Sequence, residues 1–199
     1  MTRTLEELGR VASTCTRCRL SSGRTQVVFG DGSPVADVMF VGEGPGFHED
    51  RQGIPFVGAA GQLLNQLLSE IGLDRRDVYI TNVVLCRPPG NRDPLPDEIE
   101  SCRPYLMEQL ELVDPRVVVT LGNFATRVIL DRPVSISRVR GQRQIWQGRL
   151  VIPTYHPAAV LRGGGNAGET MRAVREDFAT IKEAMAEVPA PLEEQLGLF

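Results

Sequence analysis

The fold is decided by the segment Ala36-Asp37-Val38-Met39-Phe40-Val41-Gly42-Glu43-Gly44-Pro45-Gly46. Its first half is an apolar run of strand length without polar alternation, which predicts a strand buried on both faces. Its second half gathers three glycines and a proline into five residues, which predicts a tight loop directly after the strand. A buried strand that opens into such a loop is typical of a parallel sheet covered by helices.

Strands and helices alternate along the chain on either side of this segment. Apolar runs predict further strands at residues 78–84, 117–121, 144–146 and 150–154. Helical periodicity and capping residues predict helices at residues 4–12, 63–71, 97–112, from 123 onward and 169–185. We therefore predict a three-layer α/β fold, in which a central, mostly parallel sheet of about four strands is flanked by helices.

Length and composition indicate one globular domain. The chain has 199 residues, of which 42% are hydrophobic and 24% charged. We assign residues 1–186 to the domain and residues 187–199 to an extended tail, since Val188-Pro189-Ala190-Pro191 cannot continue a helix. No apolar run approaches a membrane span, and the N-terminus has no apolar signal region. We expect a cytoplasmic monomer with no membrane partner.

The four cysteines of the chain have a spacing that suits one inorganic centre. Cys15 and Cys18 form a C-x-x-C pair, whereas Cys86 and Cys102 come much later. Neither of the two histidines has a zinc-finger spacing to a cysteine, so the site would be all sulfur. An iron–sulfur cluster and a tetrahedral zinc both fit this pattern. The alternative is a reduced C-x-x-C turn with two unrelated core cysteines.

The charge of the chain is unevenly distributed. The net charge is −3, which disfavours indiscriminate binding of nucleic acid, yet no Asp or Glu occurs between Arg132 and Gly168. That stretch carries Arg132, Arg138, Arg140, Arg143, Arg149 and Arg162. An acid-free stretch with several arginines predicts a local anion-binding face.

Polar and aromatic residues are expected to meet at one edge of the sheet. The glycine loop, Asn82 and His156 each follow or end a predicted strand, where ligands of parallel sheets bind. Phe56 lies in a Gly/Pro-rich loop, where it can serve as a stacking surface. The loop lacks the last glycine of a dinucleotide fingerprint, because Phe47 stands there. The combination predicts a pocket for one flipped-out base rather than a nucleotide cofactor.

These motifs together resemble the family 4 uracil-DNA glycosylases, the iron–sulfur members of the uracil-DNA glycosylase superfamily. The resemblance runs from about Leu5 to Met185. It is carried by Cys15-x-x-Cys18, by residues 42–46 with Glu49-Asp50, by Gly53-Ile54-Pro55-Phe56-Val57-Gly58, by Thr81-Asn82-Val83, by residues 86–92, by Cys102-Arg103-Pro104 and by His156-Pro157-Ala158-Ala159. It implies a DNA-repair enzyme that hydrolyses the N-glycosidic bond of uracil in single- or double-stranded DNA and leaves an abasic site.

The resemblance also implies particular site residues. Cys15, Cys18, Cys86 and Cys102 would ligate a [4Fe–4S] cluster near the N-terminal segment, and Glu43, Gly44, Phe56, Asn82 and His156 would line the uracil pocket. We expect His156 to hold the departing uracil oxygen and Glu43 to orient water or support the charge on the sugar. Arg138 and Arg140, in the acid-free stretch, are the expected DNA contacts.

The chain departs from two other branches of the superfamily. The best-known branch has an aspartate that handles the attacking water at the position of Gly44, so stabilisation of the leaving base should matter more here. Another iron–sulfur branch carries an additional histidine that traps DNA, in an insertion after residues 137–141. Only His48 and His156 occur in this chain, so that chemistry is not expected.

Two features remain open at the level of sequence. A zinc-stabilised nucleic-acid-binding module without catalysis is the rival interpretation. It would contain zinc and would release no uracil, so that no abasic site would form.

The apolar end Gln195-Leu196-Gly197-Leu198-Phe199 looks like the short motif by which bacterial repair proteins bind the sliding clamp. The alternative is that this end folds back onto the protein's own surface.

Overall fold

Six strands form one sheet in the described part of the computed structural model, which comprises residues 3–163 and 168–187. The strands are β1 (Asp31–Gly32), β2 (Val38–Gly42), β3 (Tyr79–Asn82), β4 (Val117–Leu121), β5 (Gln144–Trp146) and β6 (Arg149–Thr154), and their spatial order is β1-β3-β2-β4-β6-β5. The four inner strands are parallel, whereas β1 and β5 pair antiparallel at the two edges. The prediction of a mostly parallel sheet is confirmed, and the antiparallel edges enlarge it from about four strands to six.

Helices cover both faces of the sheet. They are α1 (Leu5–Ser13), α2 (Phe47–Gln52), α3 (Ala59–Glu70), α4 (Pro96–Val113), α5 (Gly122–Leu130), α6 (Ile136–Val139), α7 (Pro157–Arg162) and α8 (Glu169–Glu187). One core lies between the sheet and α3, α7 and α8, where Phe40 stacks on Phe178 with ring centroids 5.9 Å apart. Met39 points to the other core, beneath α4 and α5. The three-layer α/β prediction is therefore confirmed.

Helix α2 is absent from the prediction, which placed a loop from Gly46 to Gly58. It begins after Gly46, whose lack of a side chain provides no cap, and it ends at Gly53 in a left-handed conformation with φ 74°. Six residues are too few for helical periodicity to emerge from the sequence. The prediction of a loop throughout this region is wrong.

The structure describes the N-terminal helix of the chain but not its C-terminal tail. Thr4 and Glu7 form a reciprocal capping box that starts α1, and α1 packs against α4 through Leu8 and Tyr105. Helix α8 ends at Glu187, and the tail with Gln195–Phe199 lies outside the described residues. Among the helices described, none is long and apolar enough to cross a membrane.

Parallel pairing brings three strand ends to one edge of the sheet. Gly42 lies opposite Asn82 in the register of β2 and β3, and Leu121 lies opposite Thr154 in that of β4 and β6. Beyond β3 the chain continues beside the glycine loop, because Val83 N donates to Gly42 O (2.9 Å) and Val84 N donates to Glu43 O (3.1 Å). The residues that follow β2, β3 and β6 thus face one another.

Candidate active site and cysteine cavity

A cleft of about 360 Å³ opens at this edge of the sheet. All five residues predicted for a base pocket line it, namely Glu43, Gly44, Phe56, Asn82 and His156. The volume is within the range of pockets for small ligands. The structure thus brings together residues that are 113 positions apart in the chain, from Glu43 to His156.

Phe56 is held in an uncommon backbone conformation. Its φ of 54° is left-handed, a region that bulky side chains rarely adopt. The Arg75 guanidinium donates to the carbonyls of Phe56 (3.0 Å) and Pro55, and α3 approaches so closely that a Cβ at Gly61 would lie 1.8 Å from Phe56 O. The Phe56 ring lies tilted beside the His156 ring, with centroids 5.5 Å apart. Surrounding contacts therefore fix one ring position at the cost of local strain.

Gly42 makes room for two side chains at the base of the cleft. A Cβ at this position would lie 2.4 Å from Asn82 Oδ1 and 2.6 Å from Phe56 Cζ. Asn82 is buried, and in the described structure its Oδ1 has no hydrogen-bond partner. Buried acceptors are rarely left unpaired, so this oxygen is available to a donor on a ligand in the cleft.

His156 caps the helix that follows it. Its Nδ1 accepts a hydrogen bond from Ala158 N (3.1 Å) at the start of α7. An accepting Nδ1 carries no proton, so the proton of the neutral ring is on Nε2. Burial, followed by the nearby positive charge of Arg162, lowers the pKa of His156 to about 4. The ring is therefore neutral at physiological pH, with Nε2–H as its one donor.

The cleft strongly shifts the pKa of the Glu43 carboxyl group. Burial, followed by the negative charge of Asp93, raises the pKa of Glu43 to about 7, and Arg162 opposes this shift. A carboxyl group with this pKa can take up or release a proton near neutral pH. Next to it, a Cβ at Gly44 would lie 2.7 Å from Val84 Cγ2, so the close packing of the loop on residue 84 disfavours a second carboxylate there.

Asp93 and Arg162 also line the cleft, although Asp93 had no predicted role and Arg162 was expected only as part of the anion-binding stretch. Arg162 reaches it because the six-residue helix α7 begins at the cleft. Asp93 belongs to the loop after β3. Their influence on the pKa of Glu43 depends on tertiary position, and only the position of Asp93 directly after the matched residues 86–92 could have drawn attention to it.

The four cysteines line a separate cavity at the N-terminal side of α4. Arg24 Nη1 donates to Cys86 Sγ (3.3 Å) and to Cys15 O (2.7 Å), and Leu85 N donates to Cys102 Sγ (3.3 Å). The sulfur of a thiolate accepts such bonds better than that of a thiol. The structure therefore brings the predicted cysteine set together, with donors already directed at two of its sulfurs.

The free space between the four cysteines is small, about 20 Å³. In the described residues no three His, Cys, Asp or Glu side chains are arranged to hold a single metal ion, which would need sulfurs at about 2.3 Å. The donor set, four thiols with hydrogen-bond donors directed at two of them, is compatible with a sulfur-ligated centre. Burial raises the pKa of Cys86, and it raises that of Cys102 to about 12, so binding of a metal must release protons.

Three of the six arginines in the predicted anion-binding stretch, Arg140, Arg143 and Arg149, pair with acids from elsewhere in the chain. Arg140 Nη2 lies 2.7 Å from Asp177 Oδ1, and Arg143 pairs with Glu183 and Glu187, all on α8. The pattern of charge along the sequence could not reveal these pairs. Neither Arg138 nor Arg140 lines the cleft, and Arg138 is the exposed one of the two. The structure offers no free guanidinium at Arg140, and both DNA contacts stay predictions.

The fold and the cleft define an α/β protein with a candidate ligand site at the carboxyl edge of a parallel sheet. A family model described as the uracil DNA glycosylase superfamily matches residues 29–179. The chain belongs to this superfamily and, by the similarities given below, to the type-4 uracil-DNA glycosylases.

Three similar proteins carry the description type-4 uracil-DNA glycosylase. The protein from Sulfurisphaera tokodaii is 46% identical over 90% of this chain and 84% of its own length. That from Thermotoga maritima is 48% identical over 90% of this chain and 95% of its own length. That from Saccharolobus solfataricus is 44% identical over 90% of this chain and 85% of its own length.

Proposed function

We propose that this protein is a DNA-repair glycosylase that hydrolyses the N-glycosidic bond of uracil in DNA and leaves an abasic site. Family membership supports the class of reaction. The observation that carries the assignment to this cleft is the buried, unpaired Asn82 Oδ1 beside a neutral histidine and a fixed aromatic ring. Uracil must leave the helix stack to reach such an enclosed cleft.

Asn82 is suited to select uracil by hydrogen bonding. The base presents an N3–H donor next to a carbonyl oxygen, and a carboxamide presents an acceptor next to a donor. Cytosine presents an acceptor at N3 and an amino group beside it, so an amide held in the orientation that pairs with uracil would meet cytosine acceptor to acceptor and leave Asn82 Oδ1 unpaired. A buried group left unpaired costs about 1–3 kcal/mol, which is enough for discrimination. Phe56 adds a stacking surface for the ring.

His156 is suited to stabilise the leaving group. When the glycosidic bond breaks, its electron pair stays on the uracil and charge develops on the ring oxygens. Nε2–H of a neutral His156 donates to such an oxygen, together with backbone N–H groups of the glycine loop, and this is the logic of an oxyanion hole. The low pKa of His156 keeps the ring in this state over the whole physiological range.

Glu43 is suited to assist the attacking water. The oxygen of a water molecule forms the new bond to C1′ of the sugar, and the carboxylate accepts the proton that the water loses. The same negative charge also stabilises the positive charge that develops on the sugar. Only ionised Glu43 accepts the proton or stabilises the charge on the sugar. With a pKa of about 7, roughly half of the Glu43 side chains are ionised at neutral pH.

The four cysteines are proposed to hold a [4Fe–4S] cluster. The cluster would supply four covalent links between the N-terminal segment, the loop after β3 and helix α4. Arg24 and Leu85 N would then donate to the bound thiolates of Cys86 and Cys102. Its role in this proposal is to stabilise the wall of the cleft that contains residues 88–93.

The partner proposed for the tail is the bacterial sliding clamp. Gln195 to Phe199 combines a glutamine with leucine and phenylalanine side chains for an apolar pocket. Deletion of these five residues should abolish clamp binding and leave excision from short oligonucleotides unchanged. A deletion that destabilises the enzyme, with a tail peptide that does not bind the clamp, would assign the tail to packing on its own protein.

The function is tested by incubation of the protein with an oligonucleotide that carries one uracil, followed by alkali. Cleavage at the uracil position shows an abasic site, and matched oligonucleotides with cytosine or thymine should stay intact. Asn82→Asp should reduce excision of uracil, because a carboxylate cannot donate a hydrogen bond to a uracil carbonyl. Binding of DNA without any abasic product would favour the non-catalytic module.

A further inference from the structure

A large exposed aromatic ring stands at the rim of the cleft. Phe47 is the first residue of α2, directly after Gly46, which lines the cleft, and 46% of its surface is exposed. A single exposed apolar residue needs no explanation in itself. The charged side chains around the Phe47 ring, described next, indicate that this surface binds a ligand.

Two guanidinium groups flank this ring. Cζ of Arg51 lies 5.6 Å from the ring centroid, and Cζ of Arg87 lies 5.1 Å from it. Arg51 is one turn further along α2, whereas Arg87 comes from the loop after β3, so the contact joins two walls of the cleft. Within the described residues neither arginine pairs with a carboxylate, and Arg87 Nε donates to Asn91 Oδ1 (2.7 Å).

Both acids of α2 accept hydrogen bonds from backbone N–H groups elsewhere in the chain, although Glu49 also lines the cleft. Glu49 Oε1 accepts from Val57 N (3.0 Å) and Gly58 N (2.9 Å), and buried Asp50 accepts from Thr25 N (2.9 Å). The exposed ring of Phe47 therefore lies between two positively charged groups, and the acids of α2 are held by backbone hydrogen bonds. Such a combination is complementary to a nucleotide, with a π-face for the base and cations for the phosphates.

We propose that Phe47, Arg51 and Arg87 form a stacking platform for the nucleotide next to the extruded uracil. The base stacks on the exposed part of the Phe47 ring, and the two guanidiniums contact the flanking phosphates. This inference rests on the proposed function, because it needs uracil in the adjacent cleft. Stacking on an aromatic ring tolerates every base, so the platform requires a neighbouring base but not a particular one.

The test compares Phe47→Ala with the wild type on single-stranded oligonucleotides. In one series the nucleotides flanking the uracil are intact, and in two others the base on the 5′ or the 3′ side is replaced by an abasic analogue. Phe47→Ala should weaken binding about 5- to 100-fold on intact flanks, and the loss should vanish in the series without the stacked base. Phe47→Trp should retain binding.

Matched controls separate the platform from general effects. Ile145→Ala removes an apolar side chain that is 75% exposed on edge strand β5 and should leave binding unchanged. Arg51→Gln and Arg87→Gln should each lower the slope of log affinity against log salt by about 0.7. Lys182→Gln makes the same change of charge on α8 and should not alter the slope.

The outcomes distinguish the platform from the proposed function. If the wild type excises uracil and Phe47→Ala binds equally well, the platform is wrong and the function stands. If Phe47→Ala loses the same affinity in all three series, or unfolds at a lower temperature, the ring packs on protein and the platform is again wrong. If the wild type releases no uracil, the proposed function fails first.

Discussion

At the level of single residues, the two ring nitrogens of His156 have different functions. Nδ1 caps α7, which leaves Nε2–H for the ligand. His156→Ala should therefore lower kcat by about 100- to 1000-fold through the loss of a transition-state donor. It should also cost about 1 kcal/mol of unfolding free energy through the loss of the cap. Single-turnover rates and urea unfolding measure the two losses.

His156→Asn serves as the control for the cap. Asparagine is among the best capping residues, so this variant should recover the stability but not the rate. A variant that recovers both, or an alanine variant with full activity, would show that the ring is not the donor.

Glu43 should make the reaction depend on pH. Because only the carboxylate accepts a proton from water, kcat/KM should rise with pH through an apparent pKa of about 7. Glu43→Gln should show a low rate without this rise, measured as a pH profile from about pH 5 to 9. A wild-type profile that is flat across this range would remove Glu43 from the mechanism.

The same residue should affect stability in the opposite direction. Burial raises the pKa of Glu43 above its ordinary value, so its contribution to stability is fully present below that ordinary value and is lost as the pH rises through about 7. Glu43→Gln should therefore gain in melting temperature relative to the wild type as the pH increases from 5 to about 8. The absence of any pH trend in this difference would contradict the burial of the charge.

Among the structural elements, strand β2 must end in a residue without a side chain for the cleft to form, and that residue is Gly42. Gly42→Ala places a methyl group against Asn82 Oδ1 and the Phe56 ring. We expect a loss of about 1–3 kcal/mol in unfolding free energy from overpacking. The displaced base-binding groups should lower kcat/KM on the order of 100-fold.

Gly23→Ala is the matched control, because a Cβ at Gly23 meets nothing within 4 Å. It should leave both kcat/KM and the urea midpoint near the wild-type values. If Gly42→Ala behaved in the same way, the close approach of these three residues would not matter for the site.

The sequence predicted the elements whose signals are local and missed those that depend on distant contacts. The apolar runs at residues 36–41 and 78–84 predicted β2 and β3, although β3 already ends at Asn82, and they predicted the edge of the sheet at which the pocket lies. Helix α2 is too short for a periodic signal. The pairing of Arg140 with Asp177 requires α8 to cross the sheet, and no pattern near residue 140 contains that information.

At the scale of the whole molecule, the cysteine cavity joins the N-terminal segment to α4. Purified protein should be brown, and Cys86→Ala should lose the colour, because a thiolate ligand is missing. Since ligation is coupled to folding, unfolding free energy should fall on the order of 4 kcal/mol. For a chain of this size that is about 8–16 °C in Tm.

Thr16→Ala provides the control, because Thr16 is an exposed residue between Cys15 and Cys18. It should keep the colour and the melting temperature. A colourless wild-type protein that contains stoichiometric zinc and no iron would contradict the cluster and leave the cavity as a zinc site.

The chain reaches Cys86 only four residues after Asn82, and the hydrogen bonds of Val83 and Val84 keep this short segment against the glycine loop. Under the proposed function, loss of a cluster from the cysteines would therefore loosen the chain only four residues from the amide that we propose reads the base. If the cysteines hold the proposed cluster, a cell short of iron, or under oxidative attack, would lose uracil repair through displacement of Asn82 while Glu43 and His156 stayed chemically intact. Iron supply would then limit how faithfully deaminated cytosines are corrected.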